Sequence, residues 1–201
     1  LQSTEDQNGT DLGWGSQSVN AIMTHWPGAG PSEGGRAGSR WWGAYNVYPG
    51  GQFKTHLIPF VDGGLDVDGL TEMSAGVMTS YSIVWEEDSE DLGSSFSFKQ
   101  NQLLRNYGFD GIIYADWDIH DVLGHGSNVQ YLSPHERILL SIFAGTDMFI
   151  DRSGTAKIEY ILDAIALGID LIEGNYEEPT GEIEITGESI VVEYADEGAD
   201  S

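Results

Sequence analysis

Residues 97–117 read SFKQNQLLRNYGFDGIIYADW. Two periodicities meet in this stretch. Phe98, Leu103, Leu104 and Tyr107 mark a helix over 97–107, and Gly108 stands where a helix closes through a left-handed C′ residue. Ile112, Ile113, Tyr114 and Ala115 then form a run that is apolar throughout. Such a run suits a parallel strand covered on both faces better than a half-wet antiparallel one. It ends on Asp116 and Trp117, a carboxylate beside an indole, where a buried strand would meet the loops.

The same unit repeats outward. Residues 19–26 (VNAIMTHW), 75–81 (AGVMTSY), 111–117 (GIIYADW) and 146–150 (TDMFI) are short apolar runs ending in polar residues. Ser133-Pro134-His135-Glu136 is a capping box with Pro at the first helical position. A further helix is expected over 155–167, with Ile158, Ile161, Leu162 and Ile165 on one stripe and Gly168 as its stop. Strands alternating with helices imply right-handed βα units around a parallel sheet, an α/β fold.

Three segments lie outside that rhythm. Residues 1–18 are polar and Gly-dotted and are expected to be loop. Residues 28–64 are Gly-rich but hold Trp41, Trp42, Tyr45 and Tyr48, a composition that points to a functional connection rather than disorder. In the tail, 182–185 (EIEI) alternates strictly, Thr186-Gly187 offers a turn and 190–192 (IVV) resumes, so a β-hairpin is expected. The chain thus divides into a polar loop (1–18), a βα domain (19–168) and an acidic tail (169–201).

Composition excludes several functions. With 33 acidic against 8 basic residues the chain carries a formal charge of −25, the wrong sign for nucleic acid or an anionic membrane. Nine acidic and no basic residues fall between Glu177 and the end, read as solvated surface. No apolar run approaches the roughly 18 residues of a spanning helix. The absence of Cys removes disulfides, thiol catalysis and cysteine-ligated zinc. Asp62, Asp66, Asp68 and Gly69 lack EF-hand spacing, and His120, His125 and His135 near Asp118 and Asp121 lack the spacing of a helix-borne metal site, so these histidines are expected to face solvent or a pocket mouth. No metal and no cofactor is expected.

The strand ends collect His25, Tyr81, Asp116 with Trp117, and Asp147, the positions where parallel α/β folds place reactive groups. Each has a structural use as well: a loop hydrogen bonder for Asp116, a core imidazole for His25, packing for the aromatics.

Taken together, 77–83 (VMTSYSI), 103–117 (LLRNYGFDGIIYADW) and 144–148 (AGTDM) resemble glycoside hydrolase family 3, the β-glucosidase-like enzymes. Upstream, 24–30 (THWPGAG), 33–36 (EGGR) and 47–60 (VYPGGQFKTHLIPF) resemble the family's His-containing strand end and the loop after it. The resemblance spans about 19–167, the latter half of a catalytic (β/α) barrel. It implies retaining hydrolysis of β-linked glucosides through a covalent glycosyl-enzyme on Asp116. Trp117 becomes an aromatic wall, and His25, Tyr81, Met78, Arg36 and Thr24 become sugar-contacting residues. It implies an oligosaccharide or glucoside as partner and favours a secreted or periplasmic setting, although no signal peptide is visible. The alternative reading is a non-catalytic carbohydrate-binding homologue.

The match departs from the family pattern. Thr24 stands where relatives carry Lys, removing a charge-assisted hydrogen bond, and Ala37 and Ser39 replace an Asp and a His. No general acid is identifiable; Glu33, Glu86 and Glu87 are available carboxylates only. Four or five strands are too few for a barrel of about 250 residues, so a partial TIM-like barrel is expected, an excerpt of something longer that is weak or inactive alone. Open sheet edges then call for a complementary barrel half or for self-association.

Overall fold

A computed structural model describes residues 2–85, 90–121, 127–151, 158–173, 182–186 and 189–193. In chain order the elements are β1 (Thr4–Glu5), β2 (Asp11–Gly13), β3 (Ile22–Trp26), β4 (Tyr45–Asn46), α1 (Phe53–Ile58), β5 (Gly76–Thr79), β6 (Ile83–Val84), α2 (Phe98–Asn106), β7 (Ile112–Tyr114), α3 (Pro134–Phe143), α4 (Ile158–Glu173), β8 (Glu182–Thr186) and β9 (Ser189–Glu193). No helix among the described residues is long and apolar enough to cross a membrane.

The centre is the expected parallel sheet, in the order β3-β5-β7. Residues 146–150, read as a fourth strand, join β7 through a single parallel bridge at Tyr114 and Met148. Backbone bonds such as Ala115 N–H to the Met148 carbonyl at 2.8 Å attach them, and Asp147 adds to these: its Oδ2 accepts the Ile113 amide and the Arg105 guanidinium, each at 2.8 Å. Arg105 also donates to the carbonyls of Phe109 and Gly111, so one cation from the end of α2 ties the turn before β7 to the segment beyond it.

Helix ends follow their sequence signals. Ser97 caps α2, and Gly108 past its C-terminus has φ of +90°, a conformation that disfavours any other residue. At α3 both halves of the capping box form, with Pro134 in the first turn. The sheet packs one face, through Val77 and Ile113, against Trp26, Leu57, Phe60, Leu104 and Phe109. A second cluster, Phe96, Ala115, Ile119, Val129 and Leu140, sits beyond the carboxyl end of β7.

Several expectations are corrected. The sheet is not covered on both faces: Ile22 and Ile112 lie exposed on the side opposite Val77 and Ile113. Residues 1–18 hold the antiparallel pair β1-β2, and Gln2 closes the base of the sheet, its Oε1 accepting the amides of Ala21 and Ala75. Gly168 does not stop α4 but lies inside it, where a Cβ would come within 3.0 Å of Leu139. The glycine lets α4 sit close on α3, with Ala164 buried and Leu162 and Ile165 outside, so the buried stripe is rotated from the expected one. The 28–64 connection is structured, carrying β4 and α1 and a short π-helix over Pro59–Gly64. The tail hairpin is present as β8-β9, paired from Glu182↔Glu193 to Thr186↔Ser189. Its turn residue Gly187 lies outside the described residues, as do Glu86, Glu87 and His125.

Candidate active site

Three strand ends and one loop enclose a cavity of about 330 Å³. The first contribution is an irregularity in β3. Thr24 pairs with Met78 and Trp26 with Thr79, so β3 carries one extra residue, His25. A bulge of this kind re-aims the side chain it frees. His25 lines the cavity, while Trp26 sinks fully into the core with its indole N–H donating to the Gln100 carbonyl at 2.8 Å.

The second comes from the segment after β5. Ser80, Tyr81 and Ser82 form part of the wall. The Ser80 amide bonds the Trp26 carbonyl, Ser127 donates to the Tyr81 carbonyl, and the Tyr81 hydroxyl donates to the carbonyl of Trp117. That last bond joins the ends of β5 and β7 across the cavity.

The third is the end of β7. Asp116 is 4% exposed, a placement that is costly for a carboxylate without partners. Its Oδ1 accepts the Trp117 amide at 2.7 Å, and its Oδ2 lies 3.6 Å from His25 Nε2. On α3, Arg137 donates to the carbonyls of His120, Val129 and Gln130. Burial pulls the Arg137 pKa down, against the charges of Asp121 and Glu136.

The loop contribution is Gly38, Ser39 and Arg40. Gly38 rests directly on Ser82: a Cβ there would fall 1.9 Å from Oγ.

The cavity therefore gathers Asp116, His25, Tyr81 and Trp117 from the expected set and leaves out the other three. Thr24 is exposed, because the alternation that aims His25 elsewhere turns its predecessor onto the open side of the sheet. Met78 is buried between Thr24 and Tyr114 rather than at the wall. Arg36 is exposed and donates to the Trp42 carbonyl, while Arg40 stands in the wall. Sequence reasoning missed Ser80 and Ser82, although both flank Tyr81 just past a strand end. It missed Arg40 because nothing in a Gly-rich connection distinguishes one arginine from another.

Outside the cavity, Asp118, His120 and Asp151 bring one ligand-capable atom each within 4.8 Å of one another. His120 is buried, with its ring 5.9 Å from Tyr160, not facing solvent or a pocket mouth as expected. His135 lies 3.6 Å from Asp163 at the start of α3.

Chemically, the cavity offers one shielded carboxylate, an imidazole, a phenol, serine hydroxyls, a guanidinium and an indole. That set can hydrogen-bond a neutral polyhydroxyl compound and face it with a single carboxylate.

Comparison with known proteins gives the lineage. The chain is 32% identical over 164 residues to β-glucosidase C of Emericella nidulans, a match covering 77% of this chain and 25% of that protein. It is 32% identical over 167 residues to the periplasmic β-glucosidase/β-xylosidase of Dickeya chrysanthemi, covering 71% and 24%. No family model matches. Among solved structures, a glycoside hydrolase family 3 β-N-acetylglucosaminidase from Paenibacillus superposes with a TM-score of 0.57 at 22% identity, over 80% of this chain and 28% of that one. Mycobacterium tuberculosis LpqI does so with a TM-score of 0.52 at 23% identity, over 78% and 42%. These two similarities concern the fold. The chain spans about a quarter of the length of the curated relatives it matches.

Proposed function

We propose, for a chain that belongs to glycoside hydrolase family 3, that the cavity at the ends of β3, β5 and β7 binds the glycone of a β-linked glucoside and that Asp116 is the nucleophile of a retaining mechanism. The observation that carries this reading is a buried carboxylate with one oxygen held by the Trp117 amide, in a cavity otherwise lined by hydroxyls, rings and one cation. In the first step a carboxylate oxygen attacks the anomeric carbon and the glycosidic C–O bond breaks. The leaving oxygen takes a proton, and water later hydrolyses the glycosyl ester. Arg40 supplies the hydroxyl-binding donor that the resemblance places at Arg36, and Trp117 supports the sugar ring.

Retaining hydrolysis needs a second carboxyl about 5–5.5 Å from the first. Asp116 is the only carboxylate lining the cavity among the described residues. Among the described residues the nucleophile therefore stands without its acid, and turnover of natural glycosides by this chain alone is expected to be slow or absent. The remainder of the barrel, covering the open sheet face, is what such turnover requires.

A substrate whose leaving group needs no protonation tests the nucleophile independently of any general acid. Incubation with 2,4-dinitrophenyl 2-deoxy-2-fluoro-β-glucoside is expected to add one fluoroglucosyl mass, mapped to Asp116 and absent in Asp116→Asn. Saturable glucose binding without any adduct favours the second reading, a non-catalytic carbohydrate-binding homologue, for which the lone carboxylate is the supporting observation.

A further inference from the structure

We propose that Asp118, His120 and Asp151 bind one divalent transition-metal ion of the Zn²⁺ class, which clamps the loop after β7 to the segment beyond Met148. The inference stands apart from the reading of the cavity as a sugar site, since none of the three residues lines that cavity.

The three come from two segments that the backbone has already joined. Asp118 and His120 flank Ile119 in the turn that follows Trp117, and Asp151 follows the run 146–150. The Ala115 amide donates to the Met148 carbonyl at 2.8 Å and the Asp118 amide to the Ile150 carbonyl at 3.0 Å, which brings Asp118 and Asp151 within reach of each other. Ile119 is anchored in the cluster with Phe96 and Leu140. The His120 carbonyl accepts from Arg137 at 2.8 Å, and the His120 ring stands 5.9 Å from that of Tyr160 on α4. Ligand atoms fixed by their own surroundings lose little freedom when an ion arrives.

The geometry suits a metal ion. Each residue offers one ligand atom, and the three atoms lie within 4.8 Å of one another. Metal–ligand bonds of about 2.0–2.2 Å place two ligand atoms at most about 4.4 Å apart, so the triangle closes on an ion with shifts of about half an ångström. His120 is 4% exposed while Asp118 and Asp151 are half-buried, which gives the ion one shielded side and one open to water. Two carboxylates drawn this close repel each other, a cost that a doubly charged cation between them removes. Arg137 does not take that role: its hydrogen bonds go to the His120, Val129 and Gln130 carbonyls, and the carboxylates acting on its charge are Asp121 and Glu136.

The donor set selects the class of ion. An imidazole nitrogen beside two carboxylate oxygens suits Zn²⁺ or Mn²⁺, with Zn²⁺ held more tightly, whereas Ca²⁺ and Mg²⁺ favour oxygen throughout. Three protein ligands leave the remaining position to water. Two ligands from a turn and a third from another strand end do not make a helix-borne pattern, so the spacing of the histidines alone gives no sign of the site.

The test is calorimetric titration of the full chain, stripped by chelator, with ZnCl₂ in about 0.5 M KCl and about 10 mM MgCl₂, which suppress diffuse attraction to an acidic surface. One equivalent is expected to bind with a Kd in the micromolar range. Asp118→Asn and Asp151→Asn keep size and shape and should each weaken binding about tenfold or more, while His135→Gln should leave it within about twofold. Circular dichroism confirms the fold of each variant. Nitrogen-15 spectra of the imidazoles need no variant: of the five histidines, His120 should shift at one equivalent of Zn²⁺. Amide exchange at Ala115 and Asp118 should slow when the ion is bound, and unchanged exchange there overturns the clamp. Absence of saturable binding, or binding that survives both carboxylate variants, overturns the site. A shift at His25 in place of His120 also overturns it, because the ion then sits in the cavity beside Asp116. Displacement of Zn²⁺ by equimolar Ca²⁺ overturns the assignment of the ion's class.

Discussion

Ile112 and Ile113 are neighbours on β7 and chemically identical, yet one is 41% exposed and the other fully buried. They mark the two faces of the sheet. On the Ile113 side, Val77 and the helices close a continuous core; on the Ile112 side, Ile22 and Thr24 stand in solvent and the Tyr114 ring is the main cover. The Ile113 side carries the continuous core, whereas on the Ile112 side burial is limited to Met78 and Tyr114 near the carboxyl end of the sheet. The cavity lies at the carboxyl end of the sheet, where both faces end.

The largest test of that asymmetry is a matched pair. Ile113→Ala removes buried methyls from a close-packed cluster and should cost about 2–5 kcal/mol. Ile112→Ala, with its side chain already half in water, should cost about 1 kcal/mol or less. Urea midpoints with unchanged m-values check both. Equal costs would mean that something covers the open face in solution.

The comparison also explains what could be read in advance. Continuous apolar runs located three of the parallel strands, and caps at Ser97, Gly108 and Ser133 located the helix ends, because those signals are local. A run that is apolar throughout does not say which face is covered, so two-sided burial was the natural expectation at β7. α4 has the same ambiguity. It is apolar on more than one side, and only its close approach to Leu139 at Gly168 selects the stripe that packs. In the site, residues at strand ends (His25, Tyr81, Asp116, Trp117) were legible from position. Arg40, Ser39 and Gly38 were not, because their place depends on the 28–64 connection folding back onto Ser82, a contact without a local signature.

On the open face itself, one position should behave like core. The Tyr114 ring lies over Gly76, so a Cβ there would fall 2.3 Å from the ring. Gly76→Ala should cost about 1–3 kcal/mol by overpacking. The penalty should shrink in a Tyr114→Val background, where the obstruction is gone, although the Ile112 carbonyl 3.2 Å away leaves a residue of it. A double-mutant cycle read by thermal unfolding measures the coupling, and additive costs would show that the ring does not cover that face.

The base of the sheet gives a smaller effect of polar origin. Gln2 is buried, with its Oε1 accepting the Ala21 and Ala75 amides and its Nε2 donating to the Met73 carbonyl at 2.8 Å. Gln2→Leu keeps the bulk and strips the partners, so about 1–3 kcal/mol should be lost. Amide exchange should quicken at Ala21 and Ala75, and unchanged exchange there would remove Gln2 from the account of how β3 and β5 are held.

The mildest effect belongs to the β1-β2 pair and depends on pH. Asp11 accepts from the Ser3 hydroxyl and the Gly13 amide on one oxygen and from the Leu70 amide on the other, fastening the pair to the 69–70 turn. These bonds, the Ser3 hydroxyl foremost, lower its pKa below the ordinary 3.8. A carboxylate depressed in the folded state adds stability above its unfolded pKa and loses it as pH falls through the folded one. The contribution is therefore complete at neutral pH and fades below about pH 3.8. The Gly13 and Leu70 amides should exchange faster in that acidic window, while Ile113 on the packed face stays protected. In Asp11→Asn the pH dependence at Gly13 and Leu70 should vanish, since no proton is taken up there. A wild-type profile that is flat across the window would mean that β1-β2 is held by its backbone pairing rather than by this carboxylate.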